Sequence, residues 1–136
     1  MYPGPFDYVA ASSVEEAVKL LQQHGDDGKV LAGGHSLLPM MKLRLATPGV
    51  LIDIGRIPGL AGIQVNGNVT LGALTTYTTI MDSAELSKAC PLLPETAAEV
   101  GDMQVRNRGT VGGSVAHADP ASDMPAAMLA LDATFT

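Results

Sequence analysis

Two short stretches of the chain hold residue types that grip anions. Arg108-Gly109-Thr110-Val111-Gly112-Gly113-Ser114 sets a glycine pair among hydroxyls, and Ala32-Gly33-Gly34-His35-Ser36 repeats the theme far upstream. Glycine reaches positive φ at no steric cost, so each pair predicts a loop whose successive N–H groups point into one concavity, which is how a backbone holds phosphate. Two such loops in one small chain match the two phosphates of a dinucleotide. Neither has the G-x-G-x-x-G spacing of a Rossmann turn or the G-K-S/T ending of a P-loop, so a different nucleotide fold is required.

Several neighbouring residues carry two readings each. His35 either touches a ligand through its ring or fills the turn, and Gly34-His35-Ser36 lacks the G-x-S-x-G of a nucleophile elbow. Asp123, at a helix start, either accepts hydrogen bonds from sugar hydroxyls or caps the helix. Arg106 and Arg108 either offset ligand charge or pair with surface acids. His117, Asp119 and Asp123 have metal-ligand chemistry, but without a fourth partner they read as a polar loop and no metal site is expected. Lys42 and Arg44 face solvent or a partner, and Cys90 beside Pro91 reads as a small buried hydrophobe.

Composition narrows the class. A net charge of −6 with only 8 Lys and Arg gives no cationic field for nucleic acid or an anionic membrane, so a bound phosphate must be held mainly by backbone amides. Hydrophobic content of 46% with 16% charged residues and positive mean hydropathy is that of a globular chain, and 136 residues suffice to bury about two-thirds of the unfolded surface. No apolar run approaches the roughly 18 residues of a membrane span. The single cysteine, and a Met1-Tyr2-Pro3-Gly4-Pro5 start without a basic and apolar leader, predict a cytoplasmic protein with no internal disulfide. Aromatic content of 4% with no Trp is low, and the methionines read as gap-fillers or partner contacts.

The elements that position the loops follow in order. Phe6 to Val9 predicts a strand, and Ser13-Val14-Glu15-Glu16 is a capping box opening a helix whose inner face is Val14, Ala17, Val18 and Leu21, stopped by Gly25. Lys29 to Ala32 predicts a buried strand running into the first glycine loop, with a helix from Leu37 to Leu45 after it and Pro39 in its first turn. The β-branched run Val50 to Ile54 closes a β-α-β-α-β lobe over residues 1–56. A Pro/Gly-punctuated connection from Gly55 to Gly62 then leads to a second lobe over residues 57–136. There Ile63-Gln64-Val65 and Val69-Thr70-Leu71 flank an Asn66-Gly67-Asn68 hairpin turn. Thr75 or Thr76 caps a helix through Met81, and another helix runs from about Glu95 to Met103 with Ala97, Ala98 and Val100 inward. The second glycine loop follows, and Ser122 or Asp123 caps a last helix from Ala126 to Leu131. Ala133 to Thr136 reads as the start of a strand whose partners lie outside the chain, as expected of a fragment.

Together, Ala32 to Lys42, Arg108 to Ser114 and Ala121-Ser122-Asp123-Met124-Pro125, with the Phe6-Asp7-Tyr8 opening, closely resemble the FAD-binding medium subunits of molybdenum hydroxylases. This is the family of aerobic carbon monoxide dehydrogenase and of the xanthine dehydrogenase FAD-binding subunits. The resemblance covers essentially the whole chain. It implies an α/β fold of the vanillyl-alcohol-oxidase (PCMH) type, two small lobes with FAD held noncovalently between them, the second lobe incomplete because a complete medium subunit is much longer. It implies that Ala32, Gly33, Gly34, His35 and Ser36, with Thr110, Val111, Gly112, Gly113 and Ser114, wrap the pyrophosphate, and that Asp123 contacts the ribityl region. No covalent role for His35 and no catalytic acid or base is implied.

The same resemblance implies an electron relay. A molybdenum-binding large subunit oxidises substrate, 2Fe–2S clusters in a small subunit carry single electrons, and FAD passes them to an external acceptor, the whole forming a dimer of heterotrimers. Two other readings compete: a non-catalytic interaction module or truncated remnant whose glycines serve only as turns, and a stand-alone flavin oxidoreductase.

Overall fold

The β-branched run at residues 50–53 becomes the middle of a sheet, as two-sided burial requires of a continuous apolar strand. A computed structural model describes all 136 residues, which divide into two units, Met1–Gly59 and Leu60–Thr136. In the first unit, β1 (Asp7–Ala10) and β2 (Gly28–Leu31) lie parallel on either side of β3 (Val50–Asp53), in the order β1-β3-β2. The register sets Tyr8 and Lys29 opposite Leu51, and Val9 and Val30 opposite Ile52. Leu51 and Ile52 are fully buried. β2 is not the buried strand expected: having only one neighbour, it is an edge, and Lys29 and Val30 are exposed.

α1 (Val14–His24) links β1 to β2, and α2 (Leu37–Lys42) links β2 to β3. Ser13 caps α1, its hydroxyl accepting the Glu16 N–H at 3.1 Å. The return half of the box is offset by one residue, because the Glu16 carboxylate takes the N–H and hydroxyl of Ser12 instead. The buried face also differs from the expected one: Ala17 is buried and Leu20 and Leu21 half-buried, whereas Val14 and Val18 are exposed. α2 stops at Lys42 rather than Leu45, since Arg44 takes φ 60° and the Leu45 and Ala46 N–H groups fold back onto the Met40 carbonyl.

The second unit opens with an antiparallel hairpin, β4 (Ile63–Val65) and β5 (Val69–Leu71), turning at Gly67 with φ 86°. Six short helices follow: α3 (Tyr77–Met81), α4 (Ala84–Ala89), α5 (Leu92–Glu99), α6 (Met103–Arg108), α7 (Val111–His117) and α8 (Asp123–Ala130). Thr76, Ser83, Asp102 and Thr110 cap α3, α4, α6 and α7 through their side chains. Tyr77, Ile80, Leu86, Leu93, Ala97 and Met124 are among the core residues.

Several expected boundaries move. α5 begins at Leu92 because Pro94 falls within the first turn, where a missing N–H breaks no helical bond. It ends at Glu99, and Asp102 then caps a separate α6. α8 starts at Asp123 rather than Ala126, with Ser122 at the cap position but making no side-chain bond. Residues 133–136 form no strand.

The bonds from Ser12 hold the Glu16 carboxyl below its ordinary range, the hydroxyl acting more strongly than the N–H. A folded-state pKa below the unfolded value gives stability that is complete above the unfolded value and lost as pH falls through the folded one. Glu16→Gln should therefore lose less stability than the parent when urea unfolding is followed from neutral pH down through the carboxylate range. Equal losses in the two proteins would show that these bonds add nothing.

Candidate functional site

β2 ends at Leu31, and the chain turns through Ala32 to Ser36 before α2 begins. Gly34 makes the turn with φ +78°, and a Cβ there would sit 3.0 Å from a Leu38 methyl. Its carbonyl accepts the Leu38 N–H at 3.0 Å, and the Ser36 carbonyl accepts that of Met40 at 3.2 Å. The Gly33 carbonyl lies 3.1 Å from His35 Nδ1. A carbonyl can only accept, so Nδ1 is the donor in this contact. The N–H groups of Gly33, Gly34, His35, Ser36 and Leu37 donate to no acceptor in the protein, and the Ser36 hydroxyl makes no cap bond. Successive amides without partners on a half-exposed turn are donors that an anion can take.

The second glycine stretch is built the other way. It was expected as a loop with outward amides, but it is the first turn of α7, and neither Gly112 nor Gly113 takes positive φ. Its donors are spent within the fold. Val111 N–H bonds the Thr75 carbonyl at 3.0 Å, Gly112 N–H the Ala73 carbonyl at 2.8 Å, and Ser114 N–H the Thr110 carbonyl at 3.1 Å. Gly113 N–H bonds the Thr110 hydroxyl at 3.2 Å. Thr110 and Val111 are themselves buried. The glycines are needed for contact rather than torsion: a Cβ on Gly112 would lie 2.6 Å from Ala73 Cβ and 2.7 Å from its carbonyl oxygen. Thr110 is a favoured N-cap residue, and the cap outcompetes the loop.

Past the cap, Ser114 is half-buried and its hydroxyl bonds that of Tyr77. Burial raises the Tyr77 phenol above its ordinary pKa; the Ser114 bond opposes this, and the nearby Asp123 carboxylate adds to it. Ser114 and Asp123 are thus gathered around Tyr77, which the sequence did not single out; its one signal was that a buried tyrosine needs a partner for its hydroxyl.

The other candidates have structural partners or none. Arg106 donates to the Val100 carbonyl at 2.5 Å, tying α6 to the end of α5, and Arg108 is exposed. His117, Asp119 and Asp123 form no ligand set, because no group of three such side chains is arranged to hold a metal ion; Asp119 instead accepts the Ala121 N–H at 2.9 Å. Lys42 and Arg44 are exposed, and Cys90 is half-buried at the margin of the core.

A family described as the FAD binding domain in molybdopterin dehydrogenase matches residues 4–136. The chain belongs to this family. The carbon monoxide dehydrogenase medium chain of Hydrogenophaga pseudoflava is 53% identical over 136 residues, covering 99% of this chain and 47% of that protein. The 6-hydroxypseudooxynicotine dehydrogenase complex subunit alpha of Paenarthrobacter nicotinovorans is 48% identical over 137 residues, covering 100% and 46%. A solved carbon monoxide dehydrogenase from Hydrogenophaga pseudoflava, one that lacks the Mo-pyranopterin moiety of its cofactor, matches with a TM-score of 0.89 and 55% identity over 93% of this chain and 44% of that one. The chain spans about half the length of the curated relatives it matches. This FAD-binding domain has the α/β fold expected of it, and no helix is long and apolar enough to cross a membrane.

The residues present fit an FAD. The unpaired amides of Gly33 to Leu37 suit a pyrophosphate, the Ser114 hydroxyl suits a phosphate oxygen, and the Asp123 carboxylate, whose charge reaches Tyr77, suits a sugar hydroxyl. Gly112→Ala should lower the stability of the flavin-free chain by about 1–3 kcal/mol, because the backbone of Ala73 must move. Urea unfolding without flavin checks this; an unchanged midpoint would contradict a packing role for Gly112.

Proposed function

We propose that this chain is the pyrophosphate-holding part of the flavin-binding medium subunit of a molybdenum hydroxylase. The observation that carries the reading is the run of unpaired amides from Gly33 to Leu37 in a chain of an FAD-binding family. In the first unit, Ala32 ends the strand that aims the turn, Gly33, Gly34, His35 and Ser36 donate N–H groups to phosphate oxygens, and the Ser36 hydroxyl adds another donor. In the second unit, Thr110, Val111, Gly112 and Gly113 fix the first turn of α7 so that Ser114 presents its hydroxyl, and Asp123 accepts from ribityl hydroxyls. With a net charge of −6, the chain attracts an anion only at close range, so aimed N–H donors must supply the affinity. No side chain acts as catalytic acid or base.

FAD, when bound, supplies a carrier that accepts electrons singly and releases them in pairs. The partners we infer are a molybdenum-binding large subunit and an iron–sulfur small subunit, assembled in the cytoplasm as a dimer of heterotrimers, with electrons leaving for an external acceptor. The names of the relatives, a medium chain and a complex subunit alpha, support a multi-subunit setting. Carbon monoxide is the first substrate to test for the complex, on the strength of the 53% identical relative. A relative 48% identical is named for 6-hydroxypseudooxynicotine, which argues that this domain does not select the substrate.

FAD and riboflavin titrations followed by flavin fluorescence test the reading, on the parent and on Gly34→Val, which strains the turn. The parent should bind FAD saturably and riboflavin far more weakly, and the variant should lose about tenfold in FAD affinity, the worth of a charge-assisted hydrogen bond. Failure of the parent to bind FAD would favour a non-catalytic module. Equal affinity for FAD and riboflavin would remove the pyrophosphate from the account.

A further inference from the structure

Tyr77 is joined to the Gly109–Ser114 segment along its whole length. Its N–H bonds the Gly109 carbonyl at 3.3 Å, and Thr76 pairs with Thr110 in an isolated bridge. Its ring lies so close to Gly109 that a Cβ there would meet Cε2 at 2.9 Å. The ring is 4% exposed, yet its hydroxyl reaches Ser114, one helical turn into α7, with the Asp123 carboxylate near by. No sequence motif required a tyrosine here. A phenylalanine would fill the same space, so the hydroxyl is the part that packing leaves unexplained.

Each of the two hydroxyls has one proton, and the bond between them uses only one. Either hydroxyl can donate in that bond, but a phosphate oxygen only accepts, so once one lies against Ser114 the serine proton goes to the phosphate and Tyr77 donates to Ser114. Burial first, and the negative charge of Asp123 after it, disfavour a tyrosinate and keep the phenol protonated. The proton of Ser114 is then free to point away from Tyr77, and the Ser114 hydroxyl has no other partner in the protein.

We propose that Tyr77 is a positioning residue that sets the Ser114 hydroxyl as a donor toward an acceptor-only oxygen, the phosphate on the ribityl side of FAD. A donor at Ser114 on Tyr77, with the charge of Asp123 also reaching Tyr77, matches an oxyanion flanked by a polyol hydroxyl. The inference rests on the FAD-binding reading above and adds to it a residue, a proton direction and the end of the cofactor that is recognised.

The test is a double-mutant cycle in the 136-residue chain, with Tyr77→Phe, Ser114→Ala and the pair. FAD and riboflavin affinities are read by fluorescence, and the flavin-free unfolding midpoint is read in parallel. Each single variant should weaken FAD binding about tenfold, the double variant no more than either alone, and riboflavin binding should change by less than about twofold. A purely structural tyrosine would instead weaken FAD and riboflavin together. Parent-like FAD binding by Tyr77→Phe, or losses that multiply in the double variant, would overturn the inference while leaving the proposed function standing. Failure of the parent to bind FAD would overturn both.

Discussion

A backbone amide left without an acceptor is costly unless water or a ligand takes it, and the two glycine stretches meet this demand in opposite ways. Between Gly33 and Leu37 the fold supplies no acceptor, and the turn at Gly34 leaves the donors half-exposed. Between Val111 and Ser114 every amide is taken, by Thr75, Ala73 and Thr110. The first stretch has its free donors in its main chain. The second has its free groups in side chains.

The placement of those side chains is cooperative. The helices of the second unit run from 5 to 8 residues, far below the length at which an isolated helix persists in water. Each side-chain cap contributes about 1 kcal/mol, and burial of Ile80, Leu86 and Ala97 against one another supplies the rest of the constraint. Ser114 owes its place to this arrangement: Thr110 caps its helix, Gly112 lets that helix approach Ala73, and Gly109 lets Tyr77 lie beside it. Small residues here permit contact.

What the sequence made legible was local. The apolar run at Val50, the Asn66-Gly67-Asn68 turn, the Ser13 cap and the strand-to-helix setting of the first glycine loop all depend on near neighbours, and the structure bears them out. The family itself was readable from the two glycine stretches and the Asp123-Met124-Pro125 helix start, and the match over residues 4–136 agrees. Less legible was whatever depended on a distant partner. Gly112-Gly113 is compatible with an open loop and with tight packing, and only Ala73 decides between them. Tyr77 acquires its meaning from Ser114, 37 residues away. β2 looked buried because its composition does not say that it has one neighbour rather than two. α4 is not predicted although Ser83 caps it, because six residues are too few to show a helical period.

The central claim is that phosphate recognition lies in the free amides of the first stretch and in the side chains, not the amides, of the second. Amide-resolved NMR of the labelled chain during FAD addition tests it directly. The account predicts large shift changes at Gly33 to Leu37, with Gly112 and Gly113 slow to exchange with solvent both before and after flavin is added. The opposite pattern, with still amides at Gly33 to Leu37 and with Gly112 and Gly113 exchanging freely until FAD protects them, would contradict it.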